Sequence, residues 1–135
     1  MTHDEHEIVT SRELAAPVGY AHAVIASPGR TVHLGGQTAQ APDGTIFGAT
    51  MVEQFDLAAR NLVAALHAAG GQPDDLVSIH VYVTDLPAYR ASLRELGSVW
   101  RTHFGRRYPA MAVLGVTGLF DPSALVELVG VAVIP

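Results

Sequence analysis

The 135-residue chain contains no cysteine, and all eight of its basic residues are arginine, so it contains no lysine either. The first absence removes thiolate nucleophiles, thiolate metal sites and disulfides. The second removes every Schiff-base reaction that needs a lysine amine. Nowhere do about 18 apolar residues follow one another, so no membrane partner is expected. The opening MTHDEHEIVT is polar and acidic, without the apolar core of a secretory signal. A cytoplasmic protein is the expectation. The net charge is −5 and the pI about 5.7, with no basic stripe, so nucleic acid is not an expected partner. A nucleophile elbow, a Walker loop and a G-x-G-x-x-G fingerprint are also missing. No cofactor and no metal are expected. His3 and His6 in HDEHE sit among carboxylates, but on a terminus and not in a helical H-E-x-x-H pattern, so they read as a solvated tail.

What is present is enough apolar sequence for one core. Hydrophobic residues make up 49% and charged residues 16%, which describes a single globular domain over residues 1–135. So high an apolar fraction in so short a chain suggests that copies of it share apolar surface. A short edge strand is expected at Glu7 to Thr10. Tyr20 to Ala26 and Thr31 to Leu34 flank the turn Ser-Pro-Gly-Arg and read as a hairpin. GGQTAQAPDG, Gly35 to Gly44, reads as a loop. Thr50 to Ala69 is the clearest helix: Thr50 and Glu53 form a capping box, Phe55, Ala59, Leu62, Leu66 and Ala69 recur at helical spacing, and Gly70-Gly71 ends it.

Leu76 to Thr84 alternates. Val77, Ile79, Val81 and Val83 are expected to carry the helices, while Ser78, His80, Tyr82 and Thr84 form a semi-polar face suited to an interface or a pocket wall. A second helix is expected from Pro87 to Phe104, capped by Asp85, with Leu93, Leu96, Trp100 and Phe104 inward. Strands Ala110 to Val116 and Leu125 to Ile134 follow, the last apolar on both faces and so expected in the middle of the sheet. The order β-β-β-α-β-α-β-β defines an α+β fold, a mixed sheet of about six strands with two helices on one face. The other face is left for self-association to cover.

One residue does not fit a core strand. LVELVGVAVI, Leu125 to Ile134, carries Glu127 among apolar residues. A buried carboxylate costs several kcal/mol unless it is paired. Glu127 can meet an arginine, face a wet pocket, or be held protonated, and the last two mark functional sites. Gly35-Gly36 is either a simple turn or a place where a ligand approaches the backbone. His80 reads as a hydrogen-bonded interface residue and Tyr82 as interfacial or pocket-lining. Arg106 and Arg107 read as charges complementing the end of the helix.

Gly19-Tyr20, LGGQ at Leu34 to Gln37, the helix from Met51 to Ala69 containing Gln54, DLVSIHVYVTDLPAY, and above all YPAMAVLGVTGLFDPSALVELVGVAV resemble the Rid family (reactive intermediate deaminases, RidA/YjgF-like) over nearly the whole chain. The resemblance implies a chorismate-mutase-like α+β fold, a homotrimer and small-molecule clefts between subunits, where active members hydrolyse imines or enamines, releasing ammonia and a keto acid. It implies that Glu127 positions water, that Tyr20 closes the pocket, that Gly36 belongs to the substrate-side loop, and that the carbonyl of Val113 holds water. The chain departs from the pattern at Gly35, where a serine is usual, and in spacing around Val18-Gly19. The large departure is Met111, which stands where the family places the arginine that clamps a substrate carboxylate. Arg106 and Arg107 lie about 13–17 Å from it along an extended chain, too far for a like-for-like replacement.

The resulting expectation is a Rid-type hydrolase, imine/enamine deaminase-like, acting on a less carboxylate-dependent ligand. Its catalytic residue would be Glu127, and its substrate-binding residues Tyr20, Gly35, Gly36, Tyr82, Met111 and Val113. The alternatives are a non-catalytic trimer that binds a small metabolite and, against the charge, an endoribonuclease.

Overall fold

The structure is a computed structural model and describes residues 5–135. The His3 part of the tail reading lies outside the described residues. The elements run β1 (Glu7–Val9), β2 (Ala23–Ile25), β3 (Arg30–His33), α1 (Met51–Ala68), a short 3-10 turn (Pro73–Asp75), β4 (Leu76–Val83), α2 (Leu86–Ala91), α3 (Leu93–Phe104), β5 (Ala110–Gly115) and β6 (Val126–Ile134). The α+β class expected from the sequence stands. The strands are divided between a two-stranded sheet, β1-β2, and a four-stranded mixed sheet in the order β3-β6-β4-β5. β6 is interior, as its apolar sequence requires, and β5 is an edge that runs parallel to β4.

The segment expected as a β2–β3 hairpin turns at Ser27–Arg30 but does not pair with itself. β2 pairs with β1, and β3 pairs with β6 through Arg30↔Ile134 to His33↔Val131. Gly29 explains this: a Cβ there would collide with the Ile134 backbone, so only glycine lets the turn lay the chain against β6. His6 joins the small sheet to the large one. It is 5% exposed; its Nε2 donates to the Val133 carbonyl at 2.8 Å and its Nδ1 accepts from Ser27 N–H at 3.0 Å. The solvated-tail reading is therefore wrong for His6, because both ring nitrogens satisfy backbone groups that burial would otherwise leave unpaired.

α1 forms as its sequence predicts. The Thr50 hydroxyl accepts from Glu53 N–H at 3.1 Å, and Glu53 Oε2 accepts from Ala49 N–H at 2.9 Å. At the other end Gly70 takes φ +90°, its N–H bonds to His67 O, and Gly71 N–H bonds to Leu66 O, a Schellman closure. Phe55, Ala58, Ala59, Leu62 and Leu66 are buried from this helix. The second expected helix is broken at Ser92, whose hydroxyl donates to Ala88 O at 2.9 Å while its N–H turns back to Tyr89 O. Leu96, Trp100 and Phe104 face the core as expected. Leu93 does not, and is 57% exposed.

The helices cover one face of the large sheet. Ile79, Val81 and Val83 of β4 and Val126 and Leu128 of β6 are fully buried there. A bulge between Leu76 and Ser78 puts Leu76, not Val77, into the core. On the opposite face, in-register rows run Ala112–His80–Val129 and Leu114–Tyr82–Glu127. Among the described residues no helix covers this face, whose residues are half-buried or exposed.

Candidate functional site

The register of β6 decides where Glu127 goes. Val126 and Leu128 point at the helices, so Glu127 between them must point to the uncovered face. Its cross-strand neighbour is Tyr82. The side chain is half-buried, and among the described residues its carboxylate has neither a hydrogen-bond nor an ion-pair partner. Arg107 is committed elsewhere: Nη2 donates to His6 O at 2.7 Å and Nη1 reaches Glu5 Oε2 at 3.4 Å. Among the described residues no arginine pairs with Glu127.

The 35–40 loop is stitched alongside. Gln37 and Leu128 exchange backbone hydrogen bonds of 2.9 and 2.8 Å, and Asn61 of α1 donates to the carbonyls of Thr38 and Gln40, both at 2.9 Å. This places Gly36 against Glu127: a Cβ at 36 would stand 2.5 Å from Glu127 Oε1. The group approaching the Gly36 backbone is thus the carboxylate itself. Gly35 has open space at its Cβ position. The strand that carries Glu127 is fixed at its start by Gln54, which is 2% exposed. Gln54 Nε2 donates to Gly48 O and Ser123 O at 3.1 and 3.0 Å, and its Oε1 accepts from Leu125 N–H at 2.8 Å. His80 stacks on Tyr82 with centroids 6.3 Å apart and planes 18° apart.

The remaining predicted residues lie elsewhere. Met111 and Val113 share a row with Ile79 and Val81, on the helix face of β5. Ala21 bridges to Ala110 and donates to Pro109 O at 2.9 Å, which brings Tyr20 beside β5. Tyr20, Met111 and Val113 together border a cavity of about 460 Å³. Its deeper wall comes from residues that the sequence reading assigned to the core or left unassigned: Phe55, Tyr89, Leu96, Trp100 and Tyr108. Trp100 and Tyr108 rings stack with centroids 5.0 Å apart and planes 15° apart, and Trp100 Nε1 donates to Arg107 O at 3.2 Å. Burial, and secondarily the Tyr108 phenol, push the Tyr89 phenol above its ordinary value of 10.0. The only signal for this wall was that Phe55, Leu96 and Trp100 stand at inner helical positions, which core packing explains equally well.

The candidate site is therefore in two parts: a carboxylate with Gly36 and Tyr82 on the open sheet face, and an apolar cavity with Tyr20, Met111 and Val113 at the β5 edge. The cavity wall contains none of Glu127, Gly35, Gly36 or Tyr82.

Residues 10–134 match the family model described as Endoribonuclease L-PSP. The chain belongs to that family, the family of the Rid and YjgF-like proteins. A RutC family protein of Pyrococcus abyssi is 27% identical over 128 residues, 93% of this chain and 95% of its own. Among solved structures, a Rid-family protein of unknown function from Yersinia pestis, YyfB, superposes with a TM-score of 0.85 at 27% identity, covering 96% of this chain and 99% of its own. RidA from an Antarctic Psychrobacter species gives 0.68 at 28% identity over 94% and 98%. A YjgF/YER057c/UK114 family member from Mycobacterium tuberculosis gives 0.63 at 32% over 96% and 99%. This Rid-family chain shares their α+β fold. Among the described residues no group of three or more His, Asp or Glu side chains is placed to hold a metal, and no helix is long and apolar enough to cross a membrane.

Proposed function

We propose that this chain is a Rid-type small-molecule hydrolase, imine/enamine deaminase-like, whose site is completed between copies of itself. The observation that carries the reading is Glu127: a half-buried carboxylate with no partner among the described residues, with Gly36 leaving room for it. A structural carboxylate would have a partner; a water-positioning one must be left free. In the reaction Glu127 orients a water and takes one of its protons as the oxygen bonds to the C=N carbon and the C=N bond becomes single, then hands that proton to the nitrogen. As the carbinolamine collapses, its hydroxyl proton also passes to the nitrogen, the C–N bond breaks to release ammonia and the carbon keeps the oxygen as a carbonyl, so one water is consumed per imine.

The two parts of the site favour a trimer. Glu127 with Gly36, and Tyr20 with Met111 and Val113, are separate within one chain, and a second copy placed over the open face would bring one chain's carboxylate to its neighbour's cavity. Val129, Val131 and Leu114 on that face, and the fully exposed Phe120 after β5, are the apolar surface such a copy would cover. Ammonia release from a panel of charged and uncharged imines tests the activity, and sedimentation tests the assembly. A monomer near 14.3 kDa overturns the shared site.

The second reading, a metabolite-binding trimer without turnover, is favoured by Met111 at the place of the usual clamp. Saturable ligand binding by the wild type with no ammonia release from any imine of the panel would select it. Endoribonuclease action is disfavoured by the net charge of −5 and by a cavity wall without a cation among the described residues.

A further inference from the structure

Among the described residues no charged side chain lines the cavity beside β5. We propose that it takes an uncharged, aromatic-sized small molecule bearing one hydrogen-bond acceptor, and that Met111 sets this preference against carboxylates. This rests on the reading that the cavity is the substrate half of the site.

The space is of ligand size, about 460 Å³, in the range of roughly 300–1,000 Å³ usual for small-molecule pockets. Its wall offers flat aromatic surface: Trp100 stacked on Tyr108, and Phe55 tilted against Tyr89 at 6.4 Å and 57°. Ring ligands gain from such surfaces through area and through offset or edge contacts. The polar groups in the wall are phenols. Among the described residues the hydroxyls of Tyr89 and Tyr108 make no hydrogen bond, and since no buried side-chain polar atom is left unpaired, they are not sealed in the core; each can donate to a carbonyl oxygen or an imine nitrogen.

A carboxylate entering the same space would lose its hydration and meet no cation in return. Met111 occupies the wall on the β5 row, where a cation would do most to reverse that. Arg107 is held by His6 and Glu5. Arg101 is the cation to control for, since its Nη1 lies 3.7 Å from where a Cβ on Gly97 of the wall would stand.

Trp100 is the chain's single tryptophan and stands in the wall, so its emission reports occupancy directly. Full-length protein is titrated with phenylacetamide and with phenylacetate, which share the ring and differ in charge. The amide is expected to saturate the emission change and to bind about tenfold or more tighter than the acid. Met111→Arg is expected to reverse that order. Tyr89→Phe is expected to weaken the amide by about fivefold or more, and Arg101→Gln to leave the order unchanged. Calorimetry repeats the titrations without the optical reporter. The proposal is overturned if wild type binds the acid as tightly as the amide, if neither method detects the amide, or if a folded Met111→Arg keeps the wild-type order. The titrations need no turnover. Selective amide binding without imine hydrolysis would sink the hydrolase reading alone, and hydrolysis confined to anionic imines would sink this proposal alone.

Discussion

Glu127 and Leu128 are neighbours in β6 with opposite environments. Leu128 is fully buried against α1 and the rest of the core, whereas Glu127 is half-buried on the uncovered face. The same contrast runs through the whole sheet. The helix face is a dry core of Ile79, Val81, Val83 and Val126, and the other face is a mixed surface of His80, Tyr82, Glu127 and Val129. The strand period of two lets one segment serve stability and chemistry at once, because moving one residue along the chain changes face. A second contrast separates the open face, which holds the carboxylate, from the β5 edge, which holds the apolar cavity.

The first contrast breaks most sharply at that pair. Glu127→Gln is expected to lower imine hydrolysis by about 10²–10⁴-fold while shifting the denaturant midpoint little. Leu128→Ala is expected to cost about 2–5 kcal/mol in the same denaturation measurement. A Glu127→Gln protein that unfolds as easily as Leu128→Ala would make Glu127 structural.

The second contrast is tested by mixing. Val113→Trp, which fills the cavity, and Glu127→Gln should each be inactive alone. Refolded together in equal amounts they should recover about a quarter of wild-type ammonia release, because in a ring of shared sites one site in four receives two intact halves. No recovery from a mixture shown to exchange subunits would place the whole site in one chain.

A smaller effect is expected at the loop. Gly36→Ala forces its Cβ onto Glu127 and should cost about 1–3 kcal/mol by overpacking, with the loss of turnover larger than the loss of stability. The smallest effect belongs to Tyr89. Its phenol ionises less readily when folded, so its stabilising contribution is complete below pH 10.0 and declines as pH rises beyond it. Unfolding midpoints compared at pH 9 and pH 11 should fall for wild type and fall less for Tyr89→Phe.

Much of the fold was legible because its signals are local. The Thr50–Glu53 cap, the Gly70-Gly71 stop and the alternation in β4 each depend on residues within a few positions of one another. The β2–β3 hairpin was misread because pairing is not local: Gly29 was chosen by the backbone of Ile134, over a hundred residues later. His6 was misread for the same reason, its partner being Val133. Glu127 stood out as a lone carboxylate in an apolar run, and Met111 stood out only against the family pattern. The cavity wall had no distinct signal, since Trp100 and Phe55 look the same in sequence whether they pack against protein or border a space.

The sequence by itself determined the family, the α+β class, the limits of α1 and the presence of one anomalous carboxylate, since composition, capping and periodicity act over short distances. Only the tertiary structure decided which face Glu127 takes, that Gly36 and not an arginine stands beside it, and that Tyr20, Met111 and Val113 belong to a different part of the molecule. Those outcomes are set by strand register and strand order, which are fixed by packing between residues far apart in the chain.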